Sequence, residues 1–191
     1  MRDGQRVLIL GGGLAGLSFA IALAKEAPTL DVTLLEAHPF RSGTPNPMDT
    51  RGSALNLHSV ELLKRWDLWS ALASHTGAIG DIHVSHRGHF GSALMTAEEL
   101  DVPALGYVVE NHELGRALLA RAEQLGVNVR APVRCVSLEA GAEKPAVLTD
   151  EGHRLTADLV LLAAGGSPRA ILGMAPLFPF TLVDIYLQYL G

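Results

Sequence analysis

Between Arg6 and Leu10 the chain is almost wholly apolar, and it stops at a run of glycines. A short apolar run with that ending predicts a buried parallel strand. Leu14 to Ala27 places Leu17, Ala20, Ile21 and Ala24 at helical spacing, and Pro28 follows as a stop. Val32 to Leu35 reads as a second strand, closed by Glu36. From Ala37 to Gly52 the chain turns polar, with Pro39, Pro45, Pro47 and two glycines. It reads as a long loop, of the kind that is usually functional or disordered.

Helical spacing returns from Leu57 to Trp69, and Ile79 to Ser85 and Gly106 to Val109 have the pattern of strands. Glu113 to Leu125 predicts a helix ended by Gly126. Val127 to Val129, Val133 to Leu138 and Ala146 to Leu148 follow as short strands. A turn at Asp150-Glu151-Gly152 precedes an apolar strand from Leu159 to Ala164 that ends in Gly165-Gly166. Parallel-type strands alternating with helices, with a meander late in the chain, indicate an α/β sheet with an inserted smaller β layer.

Gly11-Gly12-Gly13-Leu14-Ala15-Gly16 fits the pattern G-x-G-x-x-G. It follows a predicted strand and opens a predicted helix, the context in which that pattern binds a dinucleotide. Gly11 allows the tight turn, Gly13 lets the backbone approach a pyrophosphate, and Gly16 lets helix and strand pack closely. The amides of Leu14, Ala15 and Gly16, at the helix start, then offer unpaired donors and a partial positive charge to the diphosphate. Glu36 stands where an acid accepts hydrogen bonds from ribose hydroxyls, and it disfavours a 2′-phosphate. The expected fold is therefore Rossmann-like, and the expected ligand is FAD or NAD rather than NADP. Arg51, in the segment Asp49 to Leu55, either lies over the diphosphate or is an exposed loop arginine.

Composition narrows the alternatives. Of 191 residues, 48% are hydrophobic and 18% charged, which suits one folded domain with a substantial core. A net charge of −5 and scattered arginines give no attraction for nucleic acid. The single cysteine, Cys135, excludes a disulfide framework and points to a reducing cytoplasm. Its place in a predicted strand favours packing over catalysis. The charged start and the apolar run to Ala24 have the outline of a secretory signal. Gly11, Gly12, Gly13 and Gly16 interrupt that run where a phosphate-binding turn wants them, so a folded domain is the expectation. The apolar C-terminal segment is broken by Arg169, three prolines and Asp184, so no bilayer span is expected.

His83, His86 and His89 recur every three residues, which invites a metal reading. In an extended segment that spacing sends neighbours to opposite faces, and no cysteine or acidic ligand joins them, so no metal is expected. Ser18, His58 and His112 are isolated, with no nucleophile elbow around them.

On these residues the chain resembles the class A flavoprotein monooxygenases. Within them it is similar to the ubiquinone-biosynthesis hydroxylases, most of all the 2-octaprenyl-6-methoxyphenol hydroxylases. The resemblance is carried by Val7 to Gly16, Asp49-Thr50-Arg51, Ile82 to His89 and Ala104 to His112. It implies FAD held by Gly11, Gly13, Gly16, Glu36 and Arg51, with Asn111 at the start of the later helix as a further contact. It also implies hydroxylation of a prenylated phenol, with NAD(P)H as reductant and O2 as oxygen source, and no side-chain nucleophile. A greasy substrate further implies a peripheral contact at the inner face of the membrane and association with other ubiquinone-pathway enzymes.

Two departures from the family pattern bear on extent. Gly165 stands where the family has the acid of an Asp-Gly pair. The family's later Gly-Asp motif and substrate-covering sheet have no counterpart before Gly191. The expectation is thus a C-terminally incomplete fold, the N-terminal portion of such an enzyme. Residues 1–166 are read as an FAD-binding domain with a partial substrate-domain insertion, and residues 167–191 as an atypical tail. A non-catalytic nucleotide-binding module, or another FAD- or NAD-dependent oxidoreductase, are the alternative readings.

Overall fold

The first strand, β1 (Arg6–Leu10), buries every residue after its arginine, and β2 (Asp31–Leu35) does the same. The two are parallel, with Val7 opposite Val32 and Leu10 opposite Leu35. Parallel strands buried on both faces need layers on either side. The computed structural model of the chain describes residues 4–40, 51–85, 91–139 and 144–164. They fall into two compact units, one holding residues 4–40 and 118–164, the other residues 51–117.

In the first unit β1 lies between β2 and β12 (Leu159–Leu162), and β2 pairs onward with β8 (Asn128–Arg130), all parallel. The link from β1 to β2 is α1 (Leu14–Glu26), which buries Gly16, Leu17, Ala20 and Ile21, a stripe at helical period. Leu8, Leu10 and Leu35 pack with Val133, Val147 and Ala157. The last three belong to or flank an antiparallel meander of β9 (Cys135–Glu139), β10 (Ala146–Thr149) and β11 (Arg154–Thr156). Cys135 packs against this core, and its half-buried thiol donates to the Ser137 carbonyl at 3.4 Å. Burial pushes that thiol up from its usual pKa, outweighing the Ser137 contact, so it stays protonated at neutral pH and serves as packing.

The second unit opens with β3 (Gly52–Asn56), which leads directly into α2 (Leu57–Arg65). A short α3 (Trp69–Leu72), a 3₁₀ turn (Ala73–His75) and β4 (Thr76–Ile79) follow. β3 and β4 flank β7 (Gly106–Glu110), antiparallel to it on both sides. Trp69 meets Tyr107 edge to face at 4.9 Å between ring centroids. β5 (Asp81–Ser85) and β6 (Ser92–Thr96) form a separate antiparallel ribbon. Ile82 opposes Met95 and Val84 opposes Ala93, so one face of the ribbon is apolar and exposed. The last helix among the described residues, α4 (Asn111–Gln124), carries the chain from the second unit into the first. Among the described residues no helix is long and apolar enough to cross a membrane.

Several sequence expectations need correction. The strand expected over Ile79 to Ser85 is two strands in different sheets, parted at Gly80. The helix expected from Leu57 to Trp69 stops at Arg65. Asp67 takes a left-handed φ of 60°, Asp67 N–H donates to Lys64 and Leu68 N–H to Leu63, which is a Schellman stop. β3, β6 and β11 were not foreseen, and Gly52 to Leu55 are strand rather than loop. The tail from residue 167, the Gly165 departure, and Asp49 and Thr50 lie outside the described residues.

The start of α2 offers a local test. The Asn56 side chain caps it, accepting from Ser59 N–H at 2.8 Å. Asn56→Ala is expected to lower unfolding free energy by about 1 kcal/mol, with Asn56→Asp close to neutral, as read from urea denaturation midpoints.

Candidate functional site

At the end of β1 the chain turns sharply. Gly11 has φ of +113°, its N–H is bonded to the Leu35 carbonyl at 2.8 Å, and a side chain on it would strike the Ala163 backbone. Only glycine fits such a position. Gly16, one turn into α1, faces the Gly11 carbonyl oxygen so closely that any Cβ would collide with it. The first and last glycines of the motif therefore set the close approach of α1 to β1.

Gly13 differs. It is exposed, and a Cβ there would meet nothing within 4 Å. It is the N-cap of α1, with no side chain capping the helix and no acid in the first turn. The amides at Leu14, Ala15 and Gly16 are by helix geometry without carbonyl partners from their own helix, whereas Leu17 N–H already reaches the Gly13 carbonyl at 3.0 Å. An open space before an uncapped, acid-free helix start is what an anionic diphosphate requires.

Glu36 closes β2 beside this turn. One carboxylate oxygen accepts from Gly12 N–H at 2.7 Å, the other from His38 N–H at 2.9 Å. Its backbone is fixed as well, with N–H donating to the Arg130 carbonyl at 3.0 Å and C=O accepting from Val133 N–H at 2.7 Å. Each carboxylate oxygen retains acceptor capacity, because it has more than one lone-pair site. The residues of this unit thus fit a dinucleotide: turn, open cradle, helix start and acid occur together.

The second unit brings together the other two expected residues. Asn111 begins α4, its N–H donates to the Arg51 carbonyl at 2.9 Å, and its side-chain oxygen accepts from Ser53 Oγ at 2.6 Å. Ser53 is buried and Arg51 exposed. The cross-strand register of Gly52 on Glu110 sets this meeting.

His112 is less isolated than its sequence neighbours imply. Its Nε2 lies 3.3 Å from Glu113, and its Nδ1 lies 3.2 Å from Glu110 but without hydrogen-bond geometry. The Arg116 hydrogen bond holds the Glu113 carboxyl below its usual range, against a smaller opposing effect of burial. His83 lies on β5, while His86 and His89 are outside the described residues. Among the described residues no group of three or more His, Cys, Asp or Glu side chains is arranged to hold a metal.

Sequence reasoning missed three contributors to the glycine turn. Gly12, the unspecified position of the motif, supplies the amide that Glu36 grips. Ala163, after β12, fills the space beneath Gly11, and Phe40 packs on Gly12. A short apolar run ending in two alanines was the available signal for Ala163; Phe40 had none.

Residues 5–174 match a family described as FAD binding domain. Ubiquinone hydroxylase UbiL of Rhodospirillum rubrum is 32% identical over 165 residues, covering 83% of this chain and 37% of that protein. The 3-demethoxyubiquinol 3-hydroxylase of Escherichia coli is 31% identical over 166 residues, covering 84% of this chain and 41% of that protein. The chain therefore spans about two fifths of the length of these relatives. Among solved structures, Diels-Alderase PyrE3 of pyrroindomycin biosynthesis superposes with a TM-score of 0.65 at 26% identity, over 84% of this chain and 32% of that one. CtdE in complex with FAD and substrate superposes with a TM-score of 0.66 at 21% identity, over 84% of this chain and 38% of that one, a likeness of fold.

Proposed function

Because the chain belongs to the FAD binding domain family, we propose that it forms the nucleotide-binding portion of an FAD-dependent aromatic hydroxylase. The reading extends to a prenylated phenol of ubiquinone biosynthesis as substrate, with NAD(P)H and O2 as co-substrates. What supports the reaction type is the similarity to relatives named as ubiquinone hydroxylases. Peripheral membrane contact and association with other enzymes of that pathway belong to the same proposal.

The observation that carries the reading is the open space at Gly13, before the uncapped start of α1 and beside the Glu36 carboxylate. Gly13 admits the diphosphate, the amides of Leu14, Ala15 and Gly16 donate to it, and Glu36 receives the ribose hydroxyls. Gly11 and Gly16 shape that turn by packing. Arg51 and Asn111 are assigned to the cofactor through the family resemblance, supported by their meeting at the head of α4. FAD, when bound, supplies the redox chemistry of ring hydroxylation that no side chain carries.

The purified chain is incubated with FAD, desalted, and its visible spectrum recorded, then titrated with ADP. Flavin absorbance that stays with the protein and is displaced by ADP is the expected result. A colourless protein that also ignores ADP overturns the reading. NAD(P)H consumption with added FAD and a prenylated phenol tests the reaction itself, and FAD binding without turnover favours a non-catalytic binding module for this chain.

A further inference from the structure

Gly12 occupies the motif position that accepts any residue in principle, yet here it has no room for one. It is buried, while Gly13 beside it is exposed. A Cβ on Gly12 would lie 2.7 Å from Cζ of Phe40 and 2.9 Å from Cβ of Glu36. The Phe40 ring therefore rests directly on the Gly12 backbone, whose N–H donates to Glu36 at 2.7 Å. Gly12 is buried under this contact, which limits the access of water to its N–H, and a charge-assisted hydrogen bond is stronger where water is excluded.

We propose that Phe40 is a positioning residue of the nucleotide site: by covering Gly12 it locks the Glu36 carboxylate into the orientation that receives the ribose. This rests on the dinucleotide reading above and assigns a specificity role to a residue outside the glycine motif. A carboxylate already held by Gly12 and His38 loses little side-chain freedom when a ribose arrives. Without the ring, water reaches Gly12 N–H and the carboxylate samples other rotamers, so ordering it becomes part of the cost of binding. A fixed carboxylate also repels a ribose 2′-phosphate from one defined place, and a loosened one turns away.

Binding of ADP and of adenosine 2′,5′-bisphosphate to the 191-residue chain is measured by calorimetry for Phe40→Ala, Phe40→Leu, Gly12→Ala and the Gly12→Ala/Phe40→Ala double variant. Phe40→Ala is expected to weaken ADP binding by roughly three- to tenfold, the range for ordering one side chain. It is also expected to narrow the preference for ADP over the 2′-phosphorylated ligand, and Phe40→Leu to restore most of both. Gly12→Ala is expected to weaken binding and lower Tm, and Phe40→Ala to relieve part of that loss, because the added methyl fits where the ring was. Wild-type binding with an unchanged Kd and unchanged ligand preference in Phe40→Ala overturns the proposal. Strictly additive losses in the double variant overturn the packing on which it stands. A wild-type chain that binds neither ADP nor FAD overturns the dinucleotide reading, and this proposal with it.

Discussion

Gly16→Ala is expected to destabilise the protein by at least about 3 kcal/mol, beyond the usual range for overpacking, because the obstruction is backbone. In an ordinary helix interior the same change is stabilising by roughly 0.5–1 kcal/mol, since alanine loses less conformational entropy. The sign reverses because the new Cβ runs into the Gly11 carbonyl oxygen and lies 3.3 Å from the Ala163 side chain. Gly11 has no way to yield. Its φ of +113°, its bond to the Leu35 carbonyl and the Ala163 backbone beneath it fix its position. Relief requires α1 to lift from β1, which uncovers Leu17, Ala20 and Ile21. Against a typical total of about 5–15 kcal/mol, that is a large share. Urea denaturation and soluble yield read it directly. Gly13→Ala is the internal control, the same substitution three residues earlier with nothing within 4 Å, and its midpoint is expected to match the wild type. Equal stability of Gly16→Ala and wild type is incompatible with the close packing of α1 on β1.

The βαβ unit was legible because its signals are local and agree with one another. β1 runs from Arg6 to Leu10 as its hydrophobic run predicts, and α1 stops one residue short of the expected Ala27. Two helix ends show where legibility fails. α4 and α2 close with the same Schellman hydrogen bonds, through Gly126 in one and Asp67 in the other. Gly126 advertises the stop, whereas Asp67 adopts a left-handed conformation that its residue type only weakly favours. The helical spacing then continues through Trp69 and conceals the break.

Strand errors have a different origin. Ile79 to Ser85 has the pattern of one strand, but Ile79 ends β4, which pairs with β7, while Asp81–Ser85 pairs with β6. Pairing across a sheet is long-range information that periodicity does not hold. The site divides in the same way. The meeting of Gly11, Gly13, Gly16 and Glu36 at one turn was readable because each spacing reflects a constraint within one βαβ unit. The grip of Glu36 on Gly12 and His38, and the meeting of Ser53 with Asn111 across 58 residues, depend on side-chain rotamers and register.

Glu36→Ala is expected to weaken ADP and FAD binding by roughly ten- to a hundredfold, the scale of losing charge-assisted hydrogen bonds at about 1.5–3 kcal/mol. It also removes acceptors from two backbone amides, and their surroundings make the consequences unequal. Gly12 is buried, so its N–H is left without a partner at a cost of about 1–3 kcal/mol in stability. His38 is exposed, so water replaces the carboxylate there at little cost. Glu36→Gln separates the two roles. The glutamine oxygen can accept from Gly12, but its amino group then meets the His38 donor and cannot accept from a ribose hydroxyl. Stability is expected to recover in Glu36→Gln while nucleotide affinity stays low. Gly13→Val isolates the cradle, because its extended backbone, with φ of −73° and ψ of −176°, accommodates valine while the side chain projects into the open space. Affinity for ADP should fall there with the urea midpoint unchanged. If Glu36→Ala instead loses stability but keeps its ADP affinity, the carboxylate is a clamp for the glycine turn and the ribose is held by other groups.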